Sequence, residues 1–191
     1  MRRLRSVLAG TAGALVVILS LSIAAPALAA QDDPRLDELF ARLHEIEEPR
    51  DARRVEAEIW QIWSESGDPR IQELYDQGII TMRAGALHIA ADLYSQIIER
   101  MPTFAEAWNK RATIRYMLKE YEASIADIEE TLKREPRHFG ALFGLGLCYI
   151  ELGRDADAIE AFKRTLEVDP HQTGAYDYIR ALTKRMEERA I

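Results

Sequence analysis

The sequence predicts an all-α repeat solenoid, with three repeats flanked by capping helices, and three observations predict it. Pro102, Pro136 and Pro170 stand 34 residues apart, twice over. On that period Leu74, Trp108 and Leu142 share one column and Gly78, Ala112 and Gly146 a second; Ala90, Ser124 and Ala158 form a third, of small residues, and Tyr94, Ile128 and Phe162 a fourth, of large apolar ones. A fixed period of this length marks units that bury their apolar faces only against one another. The third observation is the run GALFGLGLCY at 140–149. Gly140, Gly144 and Gly146 interrupt an otherwise helix-forming stretch, although each interior glycine costs a helix roughly 1 kcal/mol relative to alanine. Close approach of a neighbouring helix, not helix propensity, is the expected reason.

The chain has 191 residues, 48% hydrophobic and 30% charged, the balance of a globular domain. Its first 29 residues read separately. MRRLR is a basic start, no charge follows from Ser6 to Gln31, ALVVILSLSIAA is the apolar heart, and Ala27-Leu28-Ala29 follows Pro26. That layout is expected of a bacterial-type secretory signal over 1–29, cut after Ala29, giving a periplasmic or secreted protein. The alternative is an inner-membrane anchor over residues 6–30, because the uncharged stretch exceeds the ~20 residues that span a bilayer. No cysteine follows the apolar run, which argues against lipid anchoring, and Arg2-Arg3 lacks the wider twin-arginine motif. Loss of the leader moves the formal charge from −7 to −10, since it removes three arginines and no acid. So acidic a chain is not expected to bind nucleic acid, and a membrane enters only if the leader stays. Cys148 is alone, so no internal disulfide forms and a small buried side chain is its expected role.

Residues 30–70 read as a helix pair. Leu36, Leu39, Phe40 and Leu43 lie on one helical face, and Val55, Ile59, Ile62 and Trp63 on another, with Glu48-Pro49 between and SGDP at 66–69 as a stop and restart. The repeats follow as 71–104, 105–138 and 139–172. Ala175, Ile179, Leu182 and Met186 then face inward from a last helix within 173–191, whose outer face Lys184, Arg185, Glu187, Glu188 and Arg189 keep wet. About nine helices and no strand are expected.

The third unit, LFGLGLCYIELGRDADAIEAFKRTLEVDP, carries Leu142, Leu145, Gly146, Tyr149, Ala158, Phe162 and Pro170 in a pattern that resembles the tetratricopeptide repeat family. The first unit keeps Leu74, Gly78, Ala90, Tyr94 and Pro102; the second departs most, with Arg111 and Arg115 at apolar places. The resemblance covers about 102 residues, the three units. It implies a right-handed superhelix of antiparallel helix pairs, with residues 30–70 a degenerate repeat capping its N-terminal end. It further implies that the small columns Gly78/Ala112/Gly146 and Ala90/Ser124/Ala158 meet within each unit. Gly85 and Gly153 mark the turns between paired helices; Gly140 falls in a first helical turn, where a glycine costs little. Gly144 has no consensus role: it is slack, or it clears space for something lying on the helix.

Catalytic patterns are not found. His44, His88, His138 and His171 have no HExxH partner, one cysteine makes no CxxC, and no GxSxG, GxxxxGK[ST] or post-strand GxGxxG occurs. No enzyme, cofactor or metal is expected. By the resemblance, the first helices of the units line a concave groove that takes a protein or peptide partner, with Tyr75, Ile79 and Met82 from unit one, Asn109, Thr113 and Tyr116 from unit two, and Phe143, Leu147 and Ile150 from unit three. Arg83 and Lys110 stand nearby. Some of these, Leu147 and Ile150 first, would alternatively pack between units. The family's carboxylate clamp needs lysine and asparagine where this chain has Tyr75 and Ile79, so chaperone-tail recognition is not expected. Arg111 and Arg115, four apart on one helix face, call for Asp127 or Glu130 as ion-pair partners, or for an acidic ligand group. The expected function is thus a protein-interaction scaffold in the bacterial cell envelope, docking a partner segment for assembly of an envelope complex. The alternative is a self-associating homo-oligomer whose groove takes helix 36–46 or 175–188 of another copy.

Overall fold

The structure is a computed structural model that describes residues 30–189; the expected leader lies outside the described residues. After a 3₁₀ turn at Ala30–Asp32 come nine α-helices: α1 Arg35–Glu45, α2 Pro49–Trp63, α3 Pro69–Arg83, α4 Leu87–Arg100, α5 Ala105–Met117, α6 Tyr121–Arg134, α7 Phe139–Glu151, α8 Asp155–Val168 and α9 Thr173–Arg189. No described helix is long and apolar enough to cross a membrane. Starts follow local chemistry. Pro49 and Pro69 stand in the first turns of α2 and α3, where a missing N–H costs nothing, and the Asp68 carboxylate caps α3 by accepting from the Arg70 N–H at 2.8 Å.

Helices α3–α4, α5–α6 and α7–α8 are the three units, and α9 closes the last. The expected pairing of the two small columns is seen in unit two, and units one and three show a further steric device. The aromatic ring of the fourth column lies on the glycine: a Cβ on Gly78 would stand 2.7 Å from the Tyr94 ring, and one on Gly146 2.6 Å from the Phe162 ring. In unit two the ring is replaced by Ile128, and Ala112 fits; Ser124 Oγ donates to the Ala112 carbonyl at 2.8 Å. The turns behave as expected at Gly85 and Gly153, with φ of +78° and +70°. Lys119 occupies the same column with φ 64°, a left-handed residue that only the period itself signals.

Two flanking expectations need correction. The hairpin α1–α2 does not cap unit one; it lies along the loops that join the units. Gln31 Nε2 donates to the Thr103 carbonyl at 2.8 Å, Arg137 pairs with Asp37 at 2.7 Å, and His44 Nε2 donates to the Glu167 carbonyl at 2.9 Å while His171 Nε2 donates to that of Leu43 at 3.0 Å. So the 3₁₀ turn lies at the first loop, α1 runs from the second loop to the last, and α2 returns. The reason is the pair of indoles on α2. Trp63 stacks on His138 at 4.1 Å, Trp60 meets Phe139 edge-on at 5.5 Å, and a Cβ on Gly140 would stand 2.6 Å from the Trp60 ring. Gly140 is therefore needed for packing. The α3 face that would receive a preceding unit stays open: Ile80 is 67% exposed, whereas Ile114 and Cys148 in its column are fully buried.

At the other end Ala175 and Leu182 are buried and Ile179 packs against them, but Met186 remains exposed. Arg185 and Arg189 do not simply face water; both pair with the buried Asp155 at the start of α8 and tie α9 down. Gly146→Ala, pressing a methyl into Phe162, is expected to lower stability by about 2 kcal/mol. Lys119→Gly, relieving the left-handed residue, should raise it by about 1 kcal/mol. Urea midpoints at unchanged slope check both.

Candidate functional site

The first helices of the units place the expected groove residues unequally. Tyr75 is a core residue. It is 4% exposed, its ring meets Phe104 at 5.6 Å, and its hydroxyl lies 3.3 Å from Ser64 Oγ and 3.4 Å from Glu106 Oε1. Burial pushes its phenol well above the ordinary value, and Glu106 adds to that. Ile79 and Met82 are half-buried on the core of unit one, Arg83 is exposed, and Ile150 packs on the core beneath α9. Lys110 pairs with Glu106 at 2.8 Å and lies over the Trp60 ring at 5.3 Å.

The remaining five converge. Asn109, Thr113, Tyr116, Phe143 and Leu147 line one cavity of about 180 Å³ between α5 and α7. Ala112, Ser124, Ile128 and Ala141 also line it, and two glycines, Gly140 and Gly144, complete it. No charged side chain lines it. Thr113 is exposed and its Oγ1 donates to the Asn109 carbonyl at 3.0 Å. Phe143 is not a free groove residue: it packs on Phe162 at 5.2 Å and on Tyr178 at 5.9 Å. The sequence signal for the cavity was the Gly140/Gly144 spacing of four, which puts both on one helical face.

Beside the cavity a buried charge cluster joins α5 to the start of α7. Glu106 and His138 are fully buried; His138 Nε2 donates to Glu106 Oε2 at 2.9 Å, and Asn109 Nδ2 donates to the same oxygen at 2.8 Å. His138 Nδ1 in turn accepts from the Ala141 N–H at 3.1 Å and caps α7, which fixes the ring's tautomer. Burial alone would raise the Glu106 carboxyl, but the Lys110 ammonium and the His138 hydrogen bond overcome it and hold the group at about 2.

Arg111 and Arg115 both find Asp127. Arg111 donates from Nε at 2.9 Å and Nη2 at 2.8 Å to its two oxygens, and from Nη1 to Ser95 Oγ at 2.9 Å. Arg115 Nη1 reaches Asp127 Oδ2 at 2.9 Å and the Ala123 carbonyl at 3.1 Å. Glu130, the other candidate, pairs instead with Lys133 and Arg134. The pair is structural. Cys148 is buried with its thiol donating to Ser124 Oγ at 3.4 Å, and burial raises its pKa. Among the described residues no group of three or more His, Cys, Asp or Glu is placed to hold a metal ion.

The tetratricopeptide repeat profile matches residues 75–128 and 118–173. A TPR repeat-containing protein of Rhizobium etli is 34% identical over 155 residues, covering 80% of this chain and 74% of that protein. The first TPR domain of Spaghetti, solved bound to an HSP90 peptide, superposes with a TM-score of 0.60 at 19% identity, over 61% of this chain and 93% of that one. The Yersinia enterocolitica secretion chaperone SycD, solved with a peptide of the translocator YopD, gives 0.60 at 12% identity, over 62% and 96%. The two structures are alike in fold.

Arg111→Leu leaves the buried Asp127 short of a partner and is expected to cost about 3 kcal/mol, read as a fall in melting temperature, with little change in any binding. Glu106 is a depressed acid. Its contribution, about 3 kcal/mol, is present above the ordinary value of 4.5 and is lost as pH falls toward 2. The stability gap between the parent and Glu106→Gln should therefore narrow over that interval in pH-dependent melts.

Proposed function

The chain belongs to the tetratricopeptide repeat family, and from that membership we propose that it is a protein-docking module of the bacterial cell envelope. A partner segment lies reversibly in the concave groove against α5 and α7, in support of assembly of an envelope complex. The observation that carries this reading is the convergence of Asn109, Thr113, Tyr116, Phe143 and Leu147 on one uncharged cavity open to the groove. An apolar hollow with the Thr113 hydroxyl at its rim and buried Asn109 in its lining suits a peptide side chain with its backbone beside it. Two solved proteins of the same fold carry peptides, which supports the class of partner. The envelope clause is supported by the basic, apolar and small-residue layout of residues 1–29. No catalytic step, metal or cofactor is part of the reading.

Thr113 is the residue for the test, because it is exposed at the rim and Phe143 is engaged in the core. Affinity capture from native envelope extract, with the parent and Thr113→Arg as baits of equal helical circular dichroism, should give a partner held by the parent and lost by the variant. Equal capture by both would move binding off the groove.

A further inference from the structure

Five described glycines lie inside helices, and at three of them, Gly78, Gly140 and Gly146, an aromatic ring from another helix occupies the place a Cβ would take. Tyr94 lies on Gly78, Trp60 on Gly140 and Phe162 on Gly146, each within 2.7 Å of where a Cβ would stand, and Phe143 lies 3.4 Å from that point on Gly174. Gly144 has no ring. The one heavy atom near its missing Cβ is Ile128 Cδ1 at 3.6 Å, an ordinary contact that alanine would make equally well. Packing inside the chain does not call for glycine there, and helix propensity opposes it.

We propose that Gly144 is the floor of a subsite that takes one uncharged aromatic side chain from the docked partner segment. This rests on the groove-docking reading and adds the chemistry of the anchor. Three features point to that occupant. The cavity above Gly144 has room for a side chain and no charged group in its lining, so a charged guest would lose its hydration unpaired. Tyr116 and Phe143 both line the space, so an aromatic guest would share it with two rings. Gly140, one turn earlier on the same face, already seats the indole of Trp60, so the subsite continues an interface that α7 makes with the chain's own α2. The partner repeats what α2 does, one helical turn further along.

The test uses small probes and needs no identified partner. The ¹⁵N-labelled protein is titrated with N-acetyl-phenylalanine amide, N-acetyl-leucine amide and N-acetyl-aspartate amide, and the amide shifts of Gly144, Thr113 and Leu147 are followed. The phenylalanine probe should give saturable shifts, the aspartate probe should bind at least about tenfold more weakly, and Gly144→Leu should abolish the response while melting no lower than the parent. Gly144→Ala is the second variant, in case the larger side chain perturbs the fold. It should raise the melting temperature and weaken the phenylalanine probe about threefold. No saturable shift at these amides, an equal response to the aspartate probe, a tenfold preference for leucine, or a response that survives Gly144→Leu would each overturn the subsite. The two readings also separate in the capture experiment. A partner lost by Thr113→Arg but held by Gly144→Leu removes the subsite and leaves groove docking standing; a partner held by both removes groove docking.

Discussion

Large side chains resting on helix backbone that has no Cβ set the spacing on which the rest of this molecule depends. Tyr94 on Gly78 and Phe162 on Gly146 bring the two helices of the first and third units close, and unit two reaches a similar fit with Ile128 and Ala112. The substitution pattern is compensatory: where the second helix carries a ring the first carries glycine, and where it carries isoleucine an alanine suffices. Each glycine weakens its own helix, and the ring contact offsets that loss because dispersion and apolar burial accumulate over a whole aromatic face. Trp60 on Gly140 extends the same device from within a unit to the docking of the hairpin.

The hairpin changes what kind of solenoid this is. In a simple stack each unit touches only its neighbours and stability adds along the axis. Here the 3₁₀ turn and the α1–α2 hairpin touch both inter-unit loops and the loop that leads to α9, from Thr103 through Arg137 and His138 to Glu167 and His171. Loops separated by 34 and 68 residues are thereby held at fixed distances, and Trp60 rests on Gly140, which itself lines the cavity. The buried Glu106 joins α5 to the start of α7, and its partners Lys110 and His138 lie against the indoles of the hairpin. It takes Lys110, His138 and Asn109 at once, while His138 starts α7 and stacks on Trp63. A carboxylate so placed is tolerable only with its partners present, which ties the register of α5 to that of α7.

The helices and units were largely legible in the sequence, because apolar spacing and the 34-residue period are local or strictly repeated signals. The Arg111/Arg115 pair was legible too, since a buried cation needs an acid and Asp127 was within reach on the next helix. The groove was legible only in part. Tyr75 shares its column with Asn109 and Phe143, yet unit one has the hairpin's end beside it, and Ser64 and Glu106 draw the phenol inward. A column assigns a direction from the helix, not what stands in that direction.

By itself the sequence determined the repeat length, the helix pairs, the turn glycines and the absence of the lysine–asparagine clamp. All of these depend on residue type at a fixed spacing. Only the tertiary structure decided where α1–α2 lies, which groove positions remain open, and that Gly140 is filled while Gly144 is not. Those outcomes depend on which of several apolar surfaces a pair of tryptophans meets first in space. That competition is settled by contacts between Trp60 or Trp63 and residues about 75 to 80 positions away, which no periodicity encodes.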